Sequence, residues 1–195
     1  MREKHAQAGQ EAYNDKMEQE ASPLPETKMT IQQTLVLVKP DGLVKSLTGN
    51  VLTELSNTDL IIAGAKVVQV TRELAEEHYQ HLREEKFFGE LIRYIMGEFH
   101  TKRVLALVYH GQNAIEKVRR VVGATDPEKA EPTSIRGKYG RVTRAGVFEN
   151  VVHASESEKE SEREIKLWFR PEELVYAIYP IESKKATKVE FFWKK

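Results

Sequence analysis

The sequence predicts an α+β domain built on a four-stranded antiparallel sheet with helices on one face. Four short apolar runs have the length and composition of buried strands. Amphipathic helical patterns separate them, in the order β-α-β-(α-α)-β-α-β-α. The 195 residues show no internal repeat and suffice for one domain with a core and short appendages. This order is typical of the ferredoxin-like βαββαβ sandwich.

The first strand is expected at residues 34–38, TLVLV, and the Pro-Asp-Gly sequence at 40–42 is typical of a turn. Apolar residues between positions 51 and 55 share one face of a helix of about three turns. The run IIAGAKVVQV at 61–70 predicts the second strand.

Two helices are expected between the second and third strands. Thr71 stands where it would cap the first, which carries Leu74, His78 and Leu82 on one face. Residues 88–96 have apolar side chains at the i, i+3, i+4, i+7 and i+8 spacing of the second.

The third strand is predicted at residues 103–109, RVLALVY. A helix over 115–122 follows it and ends at Gly123, a typical C-cap residue. The stretch 124–149 is long and polar, and NVVH at 150–153 predicts the fourth strand.

The last helix and the two ends of the chain complete the prediction. Ser157 and Glu160 form a capping box for a helix that should end near Phe169. We expect a further helix at residues 4–20 and docking of the aromatic residues at 191–193 on the domain or on a neighbouring subunit. The chain then divides into a polar N-terminal extension and linker (1–33), a folded domain (34–179) and a C-terminal extension (180–195).

Composition excludes several classes of function. The 30 basic and 30 acidic side chains give no net charge, so the whole chain has no bulk attraction to nucleic acid or to anionic lipid. The chain contains no cysteine, which excludes disulfides and thiolate chemistry and fits a reducing compartment. No apolar run approaches the length of a membrane span. We therefore expect a cytoplasmic protein that does not bind membranes or nucleic acid.

Familiar nucleotide-binding and catalytic motifs are missing. The sequence contains no G-x-x-x-x-G-K-[ST] loop, no G-x-G-x-x-G after a strand and no H-R-D or D-F-G set. His78 and His81 could share a metal ion on one helix, but no third ligand is evident. A solvated or packing role is favoured for that pair.

The segment between Arg119 and Ser157 concentrates groups that suit a polyanion. Guanidinium groups and hydroxyls match phosphate oxygens well. The segment carries Arg119, Arg120, Arg136, Lys138, Arg141 and Arg144 as cations, and Thr125, Thr133, Asn150 and Ser155 as neutral polar groups. By composition alone, a basic surface loop balanced by nearby glutamates is the favoured alternative.

His153 ends the fourth strand immediately before a helix begins. A helix N-terminus presents free N–H groups and a partial positive charge, which would keep an imidazole neutral. A neutral imidazole has the free lone pair that a nucleophile needs, and the same N–H groups would hold a phosphoryl group placed on it. Judged by position alone, a core or interface histidine remains the alternative.

In one colinear series from about residue 34 to 174, the chain resembles the nucleoside diphosphate kinase family. NVVHASES at 150–157 matches the family's active-site signature, N-[IV]-[IV]-H-G-S-[DE]-S, except at one position. The other matching segments are KPDG (39–42), EHYQHLREEKFF (77–88), RRVVGATDP (119–127), PTSIRG (132–137) and EREIKLWF (162–169).

The resemblance implies ping-pong phosphoryl transfer. His153 would take the γ-phosphate of a nucleoside triphosphate and pass it to a different nucleoside diphosphate. Mg²⁺ would arrive on the nucleotide phosphates without a protein cage, and Glu156 would reach it through water. Base stacking ignores base identity, so purines and pyrimidines should be accepted alike. The family also implies a homo-oligomer, either a hexamer or a tetramer.

The same resemblance implies a role for each matching residue. Ser155 and Glu164 would orient His153, with Tyr79 beside the histidine and the phosphate. Lys39 would contact the sugar 3′-hydroxyl and the transferring phosphate. The remaining nucleotide contacts would come from Arg119, Thr125 and Arg136 on the phosphates, Asn150 on the ribose, Phe87 stacked on the base and Leu91 on its apolar side.

Three departures from the family pattern bear on the site. Ala154 follows the histidine where the family has glycine, and a positive φ there would strain it. Residues 137–149 are longer than in the commonest members, and no base contact is assigned within them. The stretch 97–103 is also longer and is expected to affect only the surface, away from His153.

Two rival functions stay open at this stage. The chain could be a scaffold or binding module of this family with weak or no catalysis. It could also be a phosphohistidine relay that passes phosphate to other proteins.

Overall fold

The computed structural model describes residues 30–144 and 146–185. The strands are β1 (Ile31–Val38), β2 (Ile61–Val68), β3 (Val104–Gln112), β4 (Arg141–Val142), β5 (Phe148–Glu149) and β6 (Val152–Ala154). The helices are α1 (Pro40–Val44), α2 (Thr48–Ser56), α3 (Arg72–His78), α4 (Phe88–Ile95), α5 (Ala114–Val122), α6 (Ile135–Tyr139) and α7 (Glu158–Trp168). Short 3₁₀ turns lie at Gln80–Leu82 and Pro171–Glu173. No helix in these two ranges is long and apolar enough to cross a membrane.

The main sheet has four strands in the order β2-β3-β1-β6, and every neighbouring pair is antiparallel. This confirms the predicted α+β class and its four-stranded sheet. Strand β1 pairs with β3 along its whole length, from Ile31 opposite Gln112 to Val38 opposite Leu105. Strand β6 lies at the edge of the sheet, where His153 is opposite Leu37.

Helices cover both faces of the sheet, so the expectation of helices on one face was wrong. Leu35 and Leu37 pack in a core with α3, α4 and α7, whereas Val36 and Val38 pack in a second core with α2 and α5. Successive residues of a strand point to opposite faces, so each face of β1 supplies one core. A continuous apolar run such as TLVLV is typical of a strand buried on both faces.

Strand β1 begins at Ile31, ahead of the predicted start at Thr34. The prediction missed these residues because Gln32 and Gln33 are polar and do not belong to the apolar run. Gln33 is nevertheless buried: its side-chain Nε2 donates to Tyr176 O, and its main-chain carbonyl accepts from Ser161 Oγ.

The Pro-Asp-Gly sequence at 40–42 begins helix α1 and is not the predicted turn. Pro40 occupies the first helical turn, where its fixed φ is compatible with a helix and its missing N–H costs nothing. Gly42 permits close approach, since a Cβ there would lie 2.9 Å from Val151 Cγ1. Lys39 N donates to Val151 O at 2.8 Å, which joins the end of β1 to the start of β6.

The predicted helix caps are present with two differences. Thr71 Oγ1 accepts from Leu74 N, but α3 ends at His78, so Leu82 belongs to a 3₁₀ turn. Ser157 Oγ accepts from Glu160 N as expected. The Glu160 carboxylate pairs with the Arg163 guanidinium, which provides a stronger partner than the N-cap amide.

The polar stretch 124–149 contains two elements that the sequence did not reveal. Helix α6 is capped by Ser134, whose Oγ accepts from Gly137 N. Strands β4 and β5 form a separate two-stranded ribbon, the β4–β5 ribbon. The helix predicted at 4–20 and the docked aromatics at 191–193 lie outside the described residues, and the division into extensions and domain remains a prediction.

Candidate active site

A cleft of about 720 Å³ opens beside the edge strand β6. Its wall includes side chains from β6, from the segment between α3 and α4, and from the segments before and after α6. The predicted site residues that line it are Lys39, Tyr79, Phe87, Leu91, Arg119, Thr125, Arg136, Asn150, His153, Glu156 and Glu164. Ser155 is fully buried behind the wall.

His153 is held from behind by a buried carboxylate. Its Nε2 lies 2.9 Å from Glu164 Oε2, and Ser155 Oγ donates to the same oxygen at 2.6 Å. Burial raises the pKa of Glu164, but the contacts with His153 and Ser155 outweigh it and lower the pKa to about 2. The carboxylate is therefore an acceptor, so Nε2 carries a proton and Nδ1 keeps the free lone pair.

His78 is a neighbour of the nucleophile candidate that sequence reasoning did not place in the site. Its ring lies edge-on to that of His153, with centroids 4.5 Å apart, and its Nδ1 accepts from Trp168 Nε1 at 3.2 Å. Burial and the neighbouring His153 lower the pKa of His78 well below its ordinary value, so this ring is neutral. His78 is buried and packs against Trp168, and His81 is exposed. His78 nevertheless has potential metal ligands close by, which the sequence did not reveal: His153 and Glu164 offer ligand atoms within 4.8 Å of it and of each other. A clue was available, because His78 lies on the apolar face of α3 and precedes Tyr79.

One cation in the wall is buried and hydrogen bonded, and another is partly exposed. The Arg136 guanidinium is buried and donates to Gly123 O at 2.9 Å and to Val152 O at 3.0 and 3.3 Å. Burial and the nearby Arg119 lower the pKa of Arg136 to about 10, which leaves it charged at neutral pH. The side chain of Arg119 is 41% exposed, and its Nη2 lies 4.0 Å from Glu156 Oε1.

Lys39 adds a third cation at the end of β1. Its ammonium group is buried and lies 4.8 Å from the centroid of the Tyr94 ring. Burial lowers the pKa of Lys39 to about 8, although Asp41 opposes the shift. Tyr79 lies nearby, with its ring centroid 6.4 Å from that of His153, and burial raises its pKa, so its hydroxyl remains a donor.

Asn150 is part of the cleft lining, and its side-chain amide is held in place. Its Nδ2 donates to Thr125 O at 2.8 Å, which fixes the amide orientation. Its Oδ1 is buried and has no hydrogen-bond partner in the described part of the chain. A buried acceptor without a partner is costly, and a ligand hydroxyl would satisfy it once the lining around Oδ1 opens.

The other end of the cleft is apolar and more open. Phe87 is 51% exposed, and Leu91 lies on the same side of the cleft. Gly146, Val147 and Phe148 also line the cleft, although no contact was assigned to residues 137–149. This ribbon is not part of the recognised motifs, so the sequence offered no basis for placing it.

Comparisons with known proteins point to one family. The family described as nucleoside diphosphate kinase matches residues 32–174. The chain belongs to the nucleoside diphosphate kinase family. A nucleoside diphosphate kinase of Pyrococcus horikoshii is 44% identical over 144 residues, which are 73% of this chain and 88% of that relative.

Solved structures of the family share the fold. A transition-state mimic of nucleoside-diphosphate kinase from Borrelia burgdorferi, with bound vanadate and ADP, superposes with a TM-score of 0.68 at 32% identity, covering 76% of this chain and 93% of that one. A halophilic nucleoside diphosphate kinase from Halobacterium salinarum, in complex with CDP, gives a TM-score of 0.68 at 37% identity, covering 77% and 95%.

The alanine that departs from the signature of nucleoside diphosphate kinases is accommodated without strain. Ala154 is part of β6 and is not among the residues with positive φ. The unusual backbone lies at Val151, with φ of 66°. Val151 N donates to Asp41 Oδ2 at 3.0 Å, and this buried hydrogen bond holds the strained residue two positions before His153.

The longer stretch 97–103 does more than alter the surface, contrary to expectation. His100 Nε2 lies 3.2 Å from Glu149 Oε1 in the β4–β5 ribbon. The extra residues therefore reach the element that carries Phe148 into the cleft.

Proposed function

We propose that this chain is a nucleoside diphosphate kinase that carries the γ-phosphoryl group on His153 by a ping-pong mechanism. The observation that supports the proposal most is the hydrogen bond from His153 Nε2 to Glu164. It leaves Nδ1 as the nucleophilic nitrogen at the wall of a cleft that contains three cations.

In the first half-reaction, the Nδ1 lone pair attacks the γ-phosphorus of a nucleoside triphosphate. The N–P bond forms as the bond to the bridging oxygen breaks, and the nucleoside diphosphate leaves with that electron pair. The ring becomes more positive in this step, and the ionised Glu164 stabilises it through Nε2–H. In the second half-reaction, an oxygen of another nucleoside diphosphate attacks the phosphorus and Nδ1 leaves.

The cations position the moving phosphate. Phosphoryl transfer needs in-line geometry and charge stabilisation more than acid–base chemistry. Arg136 is held in place before substrate arrives, whereas Arg119 is free to follow the phosphates. Lys39, Thr125 and the Tyr79 hydroxyl complete the donor set around the phosphates.

The rest of the cleft would bind the sugar and the base of the nucleotide. The unpaired Asn150 Oδ1 would accept from a ribose hydroxyl, and Lys39 would donate to another. Phe87 offers its exposed face to the base, and Leu91 offers an apolar contact.

Mg²⁺ would enter on the nucleotide phosphates, where it neutralises charge on the phosphoryl oxygens. The described cleft fits this arrangement: Glu164 is hydrogen bonded to His153 and Ser155 and Glu160 to Arg163, which leaves Glu90 and Glu156 among the carboxylates in its lining. Glu156 is 79% exposed and could hold a water on the ion. We also propose assembly into a homo-oligomer, a tetramer or hexamer, which a solution mass measurement would test. A cytoplasmic location and the absence of nucleic-acid or membrane partners remain predictions.

The decisive experiment is brief exposure to γ-labelled ATP. We expect acid-labile label in the wild-type chain, its discharge by GDP or CDP, and none in His153→Ala. His110→Asn, which replaces a histidine outside the cleft, is the matched control and should label normally. No wild-type label would support the scaffold function, and label that free diphosphates do not discharge would support a protein relay.

A further inference from the structure

We propose that Phe148 is a second base-contacting side chain, and that it makes this enzyme favour purine over pyrimidine nucleotides. The inference rests on the proposed function and replaces the expectation of equal acceptance of all bases. It concerns a residue outside the matched signature motifs.

Phe148 and Phe87 are both exposed aromatic side chains that line the same cleft. Phe148 is 38% exposed and Phe87 is 51% exposed. Of the large apolar side chains left exposed within 30–144 and 146–185, only these two line the cleft. They come from different elements, so a base entering the cleft meets an aromatic side chain from each.

The β4–β5 ribbon holds Phe148 toward the cleft. Phe148 pairs with Val142, and the next residue, Glu149, pairs with Arg141. Neighbouring residues of a strand face opposite sides, so burial of Glu149 on one side directs Phe148 to the other. The turn is closed by Thr143 N donating to Val147 O and by Val147 N donating to Thr143 Oγ1.

Glu149 anchors the ribbon to the body of the domain. It is 5% exposed. Its Oε2 accepts from Arg141 Nε at 2.6 Å and from Lys45 Nζ at 3.0 Å, and its Oε1 lies 3.2 Å from His100 Nε2. Lys45 follows α1 and His100 precedes β3, so the carboxylate joins three separate segments.

The position of Phe148 along the chain also fits a base contact. Asn150, two residues later, carries the free acceptor assigned to the ribose. Two extended residues span roughly 6–7 Å, a distance comparable to that between a sugar and the outer part of its base. A purine presents a larger face than a pyrimidine, so it gains more from a second aromatic wall.

The test is calorimetric binding of ADP, CDP and inorganic pyrophosphate to the wild-type protein and two variants, Phe148→Ala and Phe148→Leu. We expect Phe148→Ala to weaken the affinity for ADP by about 5- to 50-fold and the affinity for CDP by less, and to leave the affinity for pyrophosphate unchanged. Phe148→Leu keeps an apolar contact but loses the aromatic face, so its affinity for ADP should lie between those of the wild type and of Phe148→Ala. The control is Phe99→Ala, which removes an exposed aromatic ring packed on Arg93 outside the cleft and should change nothing.

The inference would be overturned if Phe148→Ala bound ADP as tightly as the wild type does. It would also be overturned if the variant lost affinity equally for ADP, CDP and pyrophosphate. A wild-type protein that binds no nucleotide would overturn it too. Labelling of His153 is measured on the same preparations, because binding needs no phosphoryl transfer. Nucleotide binding that depends on Phe148 without phosphohistidine would overturn the kinase and support the base contact.

Discussion

The two ends of the cleft are built by different physical means. At the phosphate end, Arg136 is buried with three hydrogen bonds to backbone carbonyls, and His153 rests on a buried carboxylate. At the base end, Phe87 and Phe148 expose 51% and 38% of their surface. In-line transfer requires groups fixed before the substrate arrives, whereas stacking requires only a flat apolar face. The base end therefore depends less on exact positioning of its side chains.

Removing Arg136 should have the largest effect on stability and activity, because this side chain is buried and hydrogen bonded at the phosphate end. Arg136→Ala leaves Val152 O and Gly123 O without their donor in a buried place, so unfolding free energy should fall by about 2–4 kcal/mol. It also removes charge from the phosphates, so kcat/KM should fall about 100- to 1000-fold. Urea unfolding and steady-state kinetics measure the two losses.

Arg119→Ala is the matched comparison for Arg136→Ala. Arg119 is partly exposed, and within the described residues its guanidinium has only a 4.0 Å contact with Glu156, so its removal should reduce activity without a measurable change in stability. Equal stability losses in both variants would contradict the distinction between a fixed and a mobile cation.

The charge of Lys39 should give the phosphate end a pH dependence that the base end lacks. Burial lowers the pKa of Lys39 to about 8, so the free protein loses this cation as pH rises from 7 to 9. Affinity for ADP should weaken by up to about tenfold over that range, because the anion binds the charged form. The free energy of unfolding should rise over the window from about pH 8 to 10.5. In that window Lys39 is neutral in the folded protein but still protonated in the unfolded chain, so the cost of burying its charge is removed.

Lys39→Gln is the control for that titration. It should bind ADP weakly at pH 7, with a pH dependence between 7 and 9 that is clearly reduced. If the variant keeps the full wild-type dependence, another group titrates and the assignment to Lys39 is wrong.

The same division decides what the sequence could predict. Short apolar runs, the Thr71 cap and the NVVHASES signature are local patterns, and each led to the correct element or the correct position in the cleft. The sequence analysis placed helices on one face of the sheet only. Alternate residues of β1 pack against helices on opposite faces, and this packing depends on the tertiary structure. Gln33 shows the same limit, since its burial depends on Ser161 and Tyr176, far away in the chain.

The contacts missed at the site are also long-range. His78 in α3 meets His153 in the edge strand, and Phe148 lines the cleft beside Glu149, which contacts Lys45 and His100. No spacing within the sequence encodes either contact. The family motifs predicted Arg136, His153 and Glu164 and also Phe87, whereas His78 and Phe148 required the fold.

The smallest expected effect comes from loosening the ribbon without touching the base. Burial raises the pKa of Glu149, but hydrogen bonds from Arg141 and Lys45 outweigh it and lower the pKa to about 2, so Glu149 is an anion at any working pH. Glu149→Gln keeps the shape and removes the charge, and ADP affinity should fall by about two- to tenfold because the ribbon must then be ordered on binding. Pyrophosphate affinity should not change. Hydrogen exchange should rise within 141–149.

Glu162→Gln removes an exposed carboxylate paired with Lys166 on α7, and it should leave both measurements unchanged. A Glu149→Gln protein with faster ribbon exchange but undiminished ADP affinity would show that the ribbon needs no anchor to present Phe148. The base end would then be assembled by the nucleotide itself. That result would sharpen the contrast with the phosphate end, because the buried Glu164 and the backbone carbonyls that hold Arg136 are in place before any ligand binds.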